Sequence, residues 1–313
     1  MQNVVKALVR SGTLPPRPIF MPLIFAASAK IGGMTPQQFY SNPTKIANGL
    51  RQLQGPLRCD ALVCYADQTL VAEALGATVG WEAGTPQIVA PPAEIVPAEI
   101  AGRGRVPIML EVVRRLRVVL QDRVALAVAV PGSLATARYL STASTAAEGP
   151  SPADYLAVAG GATLQAARLA CEAGADLILL IEAELAAADN PVRPQWLAIL
   201  ETICNVTRFH EALPVLLAIH AAIGAWPEVA AQGALPCPQA QDMVPAAGTL
   251  PDGPYGIALP PSLTPLPASD RSLLKQHNPN CALVTTAGDL PYEIEPKEVR
   301  RLLATLRQIV TDW

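Results

Sequence analysis

Residues 170–182 read Ala-Cys-Glu-Ala-Gly-Ala-Asp-Leu-Ile-Leu-Leu-Ile-Glu, and they contain the end of a helix, a turn and a whole strand. Gly174 suits the left-handed position that ends many helices, because glycine has no Cβ to clash there. After its first residue the run 176–181 is apolar without alternation, which is typical of a parallel strand covered on both faces. The segment therefore predicts one helix–strand unit of an α/β fold.

The same unit recurs along the chain. Further apolar runs occupy residues 17–25, 59–65, 124–130, 214–219 and 281–286, with a shorter one at 255–259. Helical patterns lie at residues 35–53, 107–121, 151–173, 191–211 and 296–311, with shorter ones at 226–232 and 269–277. Six or seven such units in 313 residues favour a single (β/α)8 TIM barrel over an open doubly wound sheet. We expect one barrel domain over residues 1–313, with an excursion at 83–104 and its least regular part at 233–267.

Composition excludes several classes of protein. Hydrophobic residues make up 51% of the chain, which is enough to bury a large core and excludes general disorder. The net charge of -3 argues against nucleic acid as a partner, because phosphate binding needs a basic face. The most apolar stretch, 212–226, is too short to span a bilayer, and the N-terminus shows no export signal. Six cysteines without a CxxC pair predict reduced thiols in a cytoplasmic protein.

Chemistry in such barrels lies where the strands end. Polar side chains follow the predicted strands at Ser28, Lys30, Tyr65, Asp67, Ser133, Tyr139, Glu182, Glu184, His220, Thr285, Thr286 and Asp289. An unpaired carboxylate such as Glu182 at an apolar barrel mouth has a raised pKa, which suits proton transfer. His220 is the one of the three histidines that is placed for chemistry or metal binding. The chain contains no Walker, GxGxxG, GxSxG or HExxH motif, and residues 102–105 (Gly-Arg-Gly-Arg) receive no role.

Four segments in order resemble the uroporphyrinogen decarboxylase superfamily, which also contains corrinoid-dependent methyltransferases that pass methyl groups to thiols. They are residues 67–76 (Asp-Gln-Thr-Leu-Val-Ala-Glu-Ala-Leu-Gly), 130–139 (Val-Pro-Gly-Ser-Leu-Ala-Thr-Ala-Arg-Tyr), 170–176, and 288–291 (Gly-Asp-Leu-Pro) with the helix that follows. The resemblance covers almost the whole chain and implies a (β/α)8 barrel. It also implies that Asp67 corresponds to the pyrrole-binding aspartate of the decarboxylases and Tyr139 to their active-site tyrosine.

The two branches of the superfamily differ in their ligand-binding residues. The decarboxylases carry an R-Q-A-G-R-Y run after the first strand, where residues 23–30 here read Leu-Ile-Phe-Ala-Ala-Ser-Ala-Lys. Without those arginines a polyanionic porphyrinogen is poorly held. The methyltransferases bind zinc through His-x-Cys after strand five and a later cysteine, but residues 220–222 are His-Ala-Ala and residues 287–288 are Ala-Gly. His220, Glu182 and Asp289 remain as weak metal candidates, and without thiolates we expect no zinc.

The resemblance therefore favours a methyltransferase acting with a corrinoid that is carried by a partner protein. A small-molecule methyl donor or acceptor is the other partner, and a homodimer is left open. We assign Asp67, Tyr139, Glu182 and His220 to catalysis, and Ser28, Lys30, Tyr65 and Asp289 to substrate binding. Two alternatives stay open: a tetrapyrrole decarboxylase with an altered carboxylate anchor, and a non-catalytic barrel that binds a tetrapyrrole or a partner. Asp67 directly follows an apolar strand, where an unpaired buried carboxylate would be costly, so we expect it at the mouth of the pocket. Asp67→Asn should then leave stability nearly unchanged while it reduces ligand affinity or rate.

Overall fold

A central parallel sheet organises the computed structural model, which describes residues 1–95, 99–141, 151–185, 190–220, 225–240, 253–260 and 280–311, except for the side chains of His220 and Ile309. Within those ranges the parallel strands are β1 (Ile19–Met21), β2 (Ala61–Ala66), β5 (Ala125–Pro131), β6 (Leu177–Glu184), β7 (Leu213–His220), β8 (Leu235–Cys237), β9 (Tyr255–Leu259) and β10 (Cys281–Thr286). β3 (Thr78–Glu82) and β4 (Thr85–Ala90) form a separate antiparallel hairpin.

The parallel strands form two arcs in barrel order. One arc runs β2-β5-β6-β7-β8 and the other β9-β10-β1, with every pairing parallel. The backbone N–H of Asp60 donates to the Phe20 carbonyl at the seam between β1 and β2 (3.0 Å). At the other seam, the Ala258 N–H donates to the Pro238 carbonyl (2.9 Å). The two arcs therefore follow one another around a (β/α)8 barrel, as the sequence predicts.

Helices cover the outside of the sheet. They are α1 (Gln2–Ser11), α2 (Phe25–Ile31), α3 (Pro36–Tyr40), α4 (Pro43–Leu57), α5 (Leu70–Ala74), α6 (Val106–Leu120), α7 (Ser133–Ser141), α8 (Pro152–Ala173), α9 (Arg193–Phe209), α10 (Trp226–Ala231) and α11 (Pro296–Thr311). α8 begins with a capping box between Ser151 and Asp154, and it ends at Gly174 with φ 111°. The predicted glycine C-cap is therefore confirmed.

The core explains why the strands are continuously apolar. Every residue of β2 and β5 is buried, because one face points into the barrel and the other packs under helices. A second apolar cluster fills the layer between α11 and strands β1, β9 and β10. All six cysteines are free and buried in these layers.

Two predicted elements are wrong in extent. The apolar run 17–25 contains a strand of only three residues, since Pro22 follows Met21 and Phe25 already begins α2. The helix predicted over 35–53 is two helices, because Asn42 and Pro43 start a new one by capping. Thr35 does cap the first of them, and its hydroxyl accepts the Gln38 N–H (3.3 Å).

Other elements were not predicted. α1, α7 and the β3–β4 hairpin have no counterpart in the sequence interpretation, and the predicted excursion at 83–104 overlaps β4. The helix predicted at 269–277 lies outside the described residues. Among the helices that are described, none combines the length and apolar character needed to cross a membrane.

Candidate functional site

Asp67 lies at the carboxyl end of β2 and is paired with a buried arginine. Its Oδ2 lies 3.0 Å from Nη2 of Arg105, and the side chains are 0% and 8% exposed. Its Oδ1 accepts hydrogen bonds from the N–H (2.9 Å) and the hydroxyl (2.7 Å) of Thr69. The premise of an unpaired Asp67 carboxylate is therefore wrong: the fold itself supplies the counter-charge.

Arg105 is a residue to which the sequence interpretation gave no role. Its Nε donates to Glu73 (3.0 Å) and its Nη2 to the Thr69 hydroxyl (2.7 Å), while Trp81 of the β3–β4 hairpin stacks 5.6 Å from its guanidinium. Arg105 precedes α6 directly, where the helix dipole disfavours a cation. A cation at that position needs carboxylate partners. An arginine directly before a predicted helix was therefore the signal in the sequence that could have pointed to Arg105.

Tyrosines surround the Asp67–Arg105 pair. Tyr65 is fully buried, and its hydroxyl donates to the carbonyl of Tyr40 (3.2 Å). Burial, and after it the charges of Asp289 and Asp67, raise the pKa of Tyr40 well above its usual range. Tyr139 on α7 is partly exposed, and its pKa is raised by burial and by Asp67. Phe25 packs against the rings of Tyr40 and Tyr65 (5.0 Å between centroids), and the next residue, Ala26, binds Asp289. The predicted residues Tyr65, Asp67 and Asp289 thus lie near Tyr40 and Arg105, which the sequence interpretation did not include.

Asp289 follows β10 and retains one buried carboxylate oxygen without a partner. Its Oδ2 accepts the N–H of Ala26 at the start of α2 (2.8 Å). Its Oδ1 is buried and has no hydrogen-bond partner among the residues that the structure describes. Burial raises the pKa of Asp289 to about 7, against hydrogen bonds from backbone amides. Asp289 is thus suited to accept or donate a proton near neutral pH.

Glu182 holds the start of α7. Its two carboxylate oxygens accept the N–H groups of Leu134 (3.1 Å) and Ala135 (2.7 Å), and the indole N–H of Trp196 approaches at 3.3 Å. Burial raises the pKa of Glu182 to about 7 despite these bonds. Glu182 therefore contacts the helix that carries Tyr139, and its oxygens are occupied by protein donors.

Of the other predicted site residues, Ser28 and Lys30 are engaged within the fold, and the side chain of His220 lies outside what the structure describes. Ser28 is buried within α2, and its hydroxyl donates to the Ile24 carbonyl (2.6 Å). Lys30 lies at the end of α2, where its Nζ pairs with Glu295 (2.6 Å). His220 is the last residue of β7, with its backbone in register with Glu184 of β6. Within the described ranges, no group of three or more His, Cys, Asp or Glu side chains could hold a metal ion.

Comparison with known proteins agrees with this fold. A methyltransferase from Methanosarcina mazei superposes with a TM-score of 0.75 at 16% sequence identity, and the match covers 98% of each chain. A B12-independent methionine synthase from Shewanella sp. W3-18-1 superposes with a TM-score of 0.53 at 12% identity, over 86% of this chain and 88% of that chain. At these identities the likeness shows the fold.

The sequence itself identifies the family. No protein among the curated sequences matches this chain. The family model for uroporphyrinogen decarboxylase (URO-D) matches residues 9–195, which is more than half of the chain and includes Asp67, Arg105, Tyr139 and Glu182. The chain therefore belongs to the uroporphyrinogen decarboxylase family.

Proposed function

We propose that this protein is a methyltransferase of the uroporphyrinogen decarboxylase family, and that one of its substrates is a methylcorrinoid carried by a partner protein. The other substrate is a small methyl acceptor such as a thiol. The likeness to the Methanosarcina mazei methyltransferase supports this branch of the family. The proposal rests on one feature of the site, the α2 segment.

α2 lies where the family's decarboxylases carry substrate-binding arginines. Here its first five residues, Phe25 to Ala29, are all buried, and the one hydroxyl among them is bonded to its own helix. Arg105, the buried cation beside Asp67, is already engaged by Asp67 and Glu73. The described site therefore offers no free guanidinium to a substrate carboxylate, which disfavours a porphyrinogen and leaves a methyl-transfer reaction as the better candidate.

Four residues carry the proposed chemistry. Asp289 accepts a proton at Oδ1, the oxygen without a protein partner, so that an acceptor thiol can attack as a thiolate. Tyr139 faces the charge of Asp67 and donates a hydrogen bond to bound substrate. The buried Asp67–Arg105 pair forms the base of the site in which Asp289 and Tyr139 act.

Zinc does not fit the described donor set. Glu182 has both carboxylate oxygens on backbone amides, and Asp289 has one oxygen on Ala26. We predict that the purified protein contains no stoichiometric zinc, and metal analysis by mass spectrometry checks this. Stoichiometric zinc that is lost in His220→Ala would show that a ligand set exists and would contradict the prediction.

A binding titration tests the proposal. Calorimetry of the purified protein with methylcobalamin and, separately, with uroporphyrinogen should show binding only of the corrinoid. Tyr139→Phe should weaken that binding or leave it unchanged while slowing turnover, whereas the matched control Tyr155→Phe, on α8, should do neither. Tight binding of uroporphyrinogen alone would favour the alternative, a decarboxylase whose carboxylate anchor lies outside α2.

A further inference from the structure

A groove runs along the outer surface of the barrel, between the end of α4 and α11. It encloses about 520 Å³, which is within the range of small-molecule sites. Its walls are exposed and its floor is apolar, because Leu57 and Leu303 lie buried beneath it. The remaining lining residues are Pro56, Arg300, Ala304, Arg307, Gln308 and Thr311.

The two helices that form the groove are strongly basic. α4 and α11 together contain six basic residues and one acidic residue, in a chain with 23 basic and 26 acidic residues. The basic residues are Lys45, Arg51, Lys297, Arg300, Arg301 and Arg307, and the acidic one is Glu298. Because the chain as a whole is negative, this surface is a local region of positive potential that attracts anions.

Two arginines of the groove have no carboxylate partner among the described residues. Arg300 and Arg307 are exposed and form no ion pair with any residue that the structure describes. They are two helical turns apart on one face of α11, so their Cα atoms are separated by about 10 Å. Leu303 and Ala304 lie between them. An apolar floor thus separates two unpaired guanidinium groups.

A second groove, between α4 and α6, shows the contrast. It is lined by Arg51 and Arg115 and encloses about 330 Å³. There Nε of Arg115 already donates to Glu111 (2.6 Å). Because Glu111 neutralises Arg115, that groove does not present two unpaired arginines to an anion, as the groove on α11 does.

We propose that the groove between α4 and α11 binds an elongated organic dianion with an apolar middle. One acidic group pairs with Arg300 and the other with Arg307, while the chain between them covers Leu303 and Leu57. Guanidinium groups hold carboxylates and phosphates through parallel N–H···O bonds, and the buried leucines select against a purely polar anion. The site is separate from the Asp67–Arg105 pair and is independent of the proposed methyl transfer.

Decanedioate is a suitable probe, because its two carboxylates can be held about as far apart as the two arginines. Titration calorimetry at low salt should show binding of decanedioate to the full chain. Decanoate, with one carboxylate, should bind about five-fold more weakly or worse, and 1,10-decanediol should not bind. Arg300→Gln and Arg307→Gln should each weaken decanedioate binding by a similar factor, and neither exposed residue is needed for folding.

Arg301→Gln is the matched control, since Arg301 is exposed on the same helix and does not line the groove. It removes the same charge and should change the affinity less than two-fold. The proposal is overturned if Arg301→Gln weakens binding as much as the other two, because the effect is then general charge attraction. It is also overturned if decanedioate binds no better than decanoate, or if no binding is detected.

Discussion

At the scale of single residues, the site depends on how each buried charge is compensated. Asp67 is compensated by a guanidinium, Glu182 by two backbone amides and an indole, and Asp289 only in part. Removing one partner of a buried pair is strongly destabilising, because the other charge is left without compensation. The three carboxylates should therefore respond differently to neutralisation.

Asp67→Asn should destabilise the protein, contrary to the expectation from sequence alone. Breaking a buried pair costs about 3–5 kcal/mol, but Arg105 keeps Glu73 and the new amide keeps an oxygen for Thr69. We expect a loss of about 1–3 kcal/mol in the free energy of unfolding, measured by urea denaturation. The control Glu184→Gln breaks an exposed pair with Arg138 and should cost less than about 0.5 kcal/mol. Equal stability of Asp67→Asn and wild type would refute the structural role of the pair.

Glu182 should make stability depend on pH near neutrality. Its pKa is about 7 in the folded protein against an ordinary value of 4.5, so the folded state keeps a proton that the unfolded chain releases. Stability from this group is therefore full below pH 4.5 and is lost as the pH rises through 7. Asp289 acts in the same direction, because its pKa is also about 7.

Glu182→Gln isolates that contribution. Between pH 4.5 and 7.5 the wild type should lose on the order of 2–3 kcal/mol more unfolding free energy than the variant. Urea denaturation at a series of pH values measures the difference, with the exposed Glu184→Gln as the reference. Parallel stability curves for wild type and Glu182→Gln would contradict the raised pKa.

At the scale of elements, Glu182 of β6 holds the start of α7, which carries Tyr139. Glu182 binds the amides at the helix start, and Glu184 pairs with Arg138 near its end. The close approach of Glu182 requires a glycine at position 132, since a Cβ there would overlap the Glu182 carboxyl group. α7 is therefore positioned by the strand next to the one it follows.

Gly132→Ala tests this arrangement. The added methyl group must displace Glu182 from the α7 amides, and we expect a loss of about 1–3 kcal/mol in unfolding free energy together with reduced turnover. Gly161→Ala is the matched control, because nothing lies within 4 Å of a Cβ at that helical position. It should stabilise α8 by about 0.5–1 kcal/mol. A neutral Gly132→Ala would mean that Glu182 does not position the helix.

The same elements show what sequence could and could not predict. β5 and β6 were predicted because continuous apolar runs suit strands buried on both faces. α7 was missed because it is almost wholly buried and lacks the one-sided periodicity of a surface helix. Arg105 was missed because its partner Asp67 is distant in sequence, and only the barrel brings them together. Asp67, Tyr139 and Asp289 were proposed because each follows a predicted strand or lies in a family segment, and their role in the reaction stays a prediction.

At the scale of the whole molecule, the barrel separates two electrostatic regions. The end of β2 places Asp67 and Tyr65 beside the buried Arg105, and a second buried carboxylate, that of Asp289, follows β10. The outer surface of α4 and α11 carries an excess of arginines and lysines in a chain whose net charge is -3. This distribution of charge fits the proposed catalytic site at the strand ends and the proposed anion groove on the outer surface.

Parallel turnover assays on one purified preparation test the central claim most directly. Anaerobic incubation with methylcobalamin and a panel of thiols should yield a methyl thioether in step with loss of methylcobalamin, and Asp289→Asn should slow that reaction about ten-fold or more. Incubation of the same preparation with uroporphyrinogen should yield no coproporphyrinogen. Conversion of uroporphyrinogen to coproporphyrinogen, with no methyl transfer to any thiol, would contradict the account.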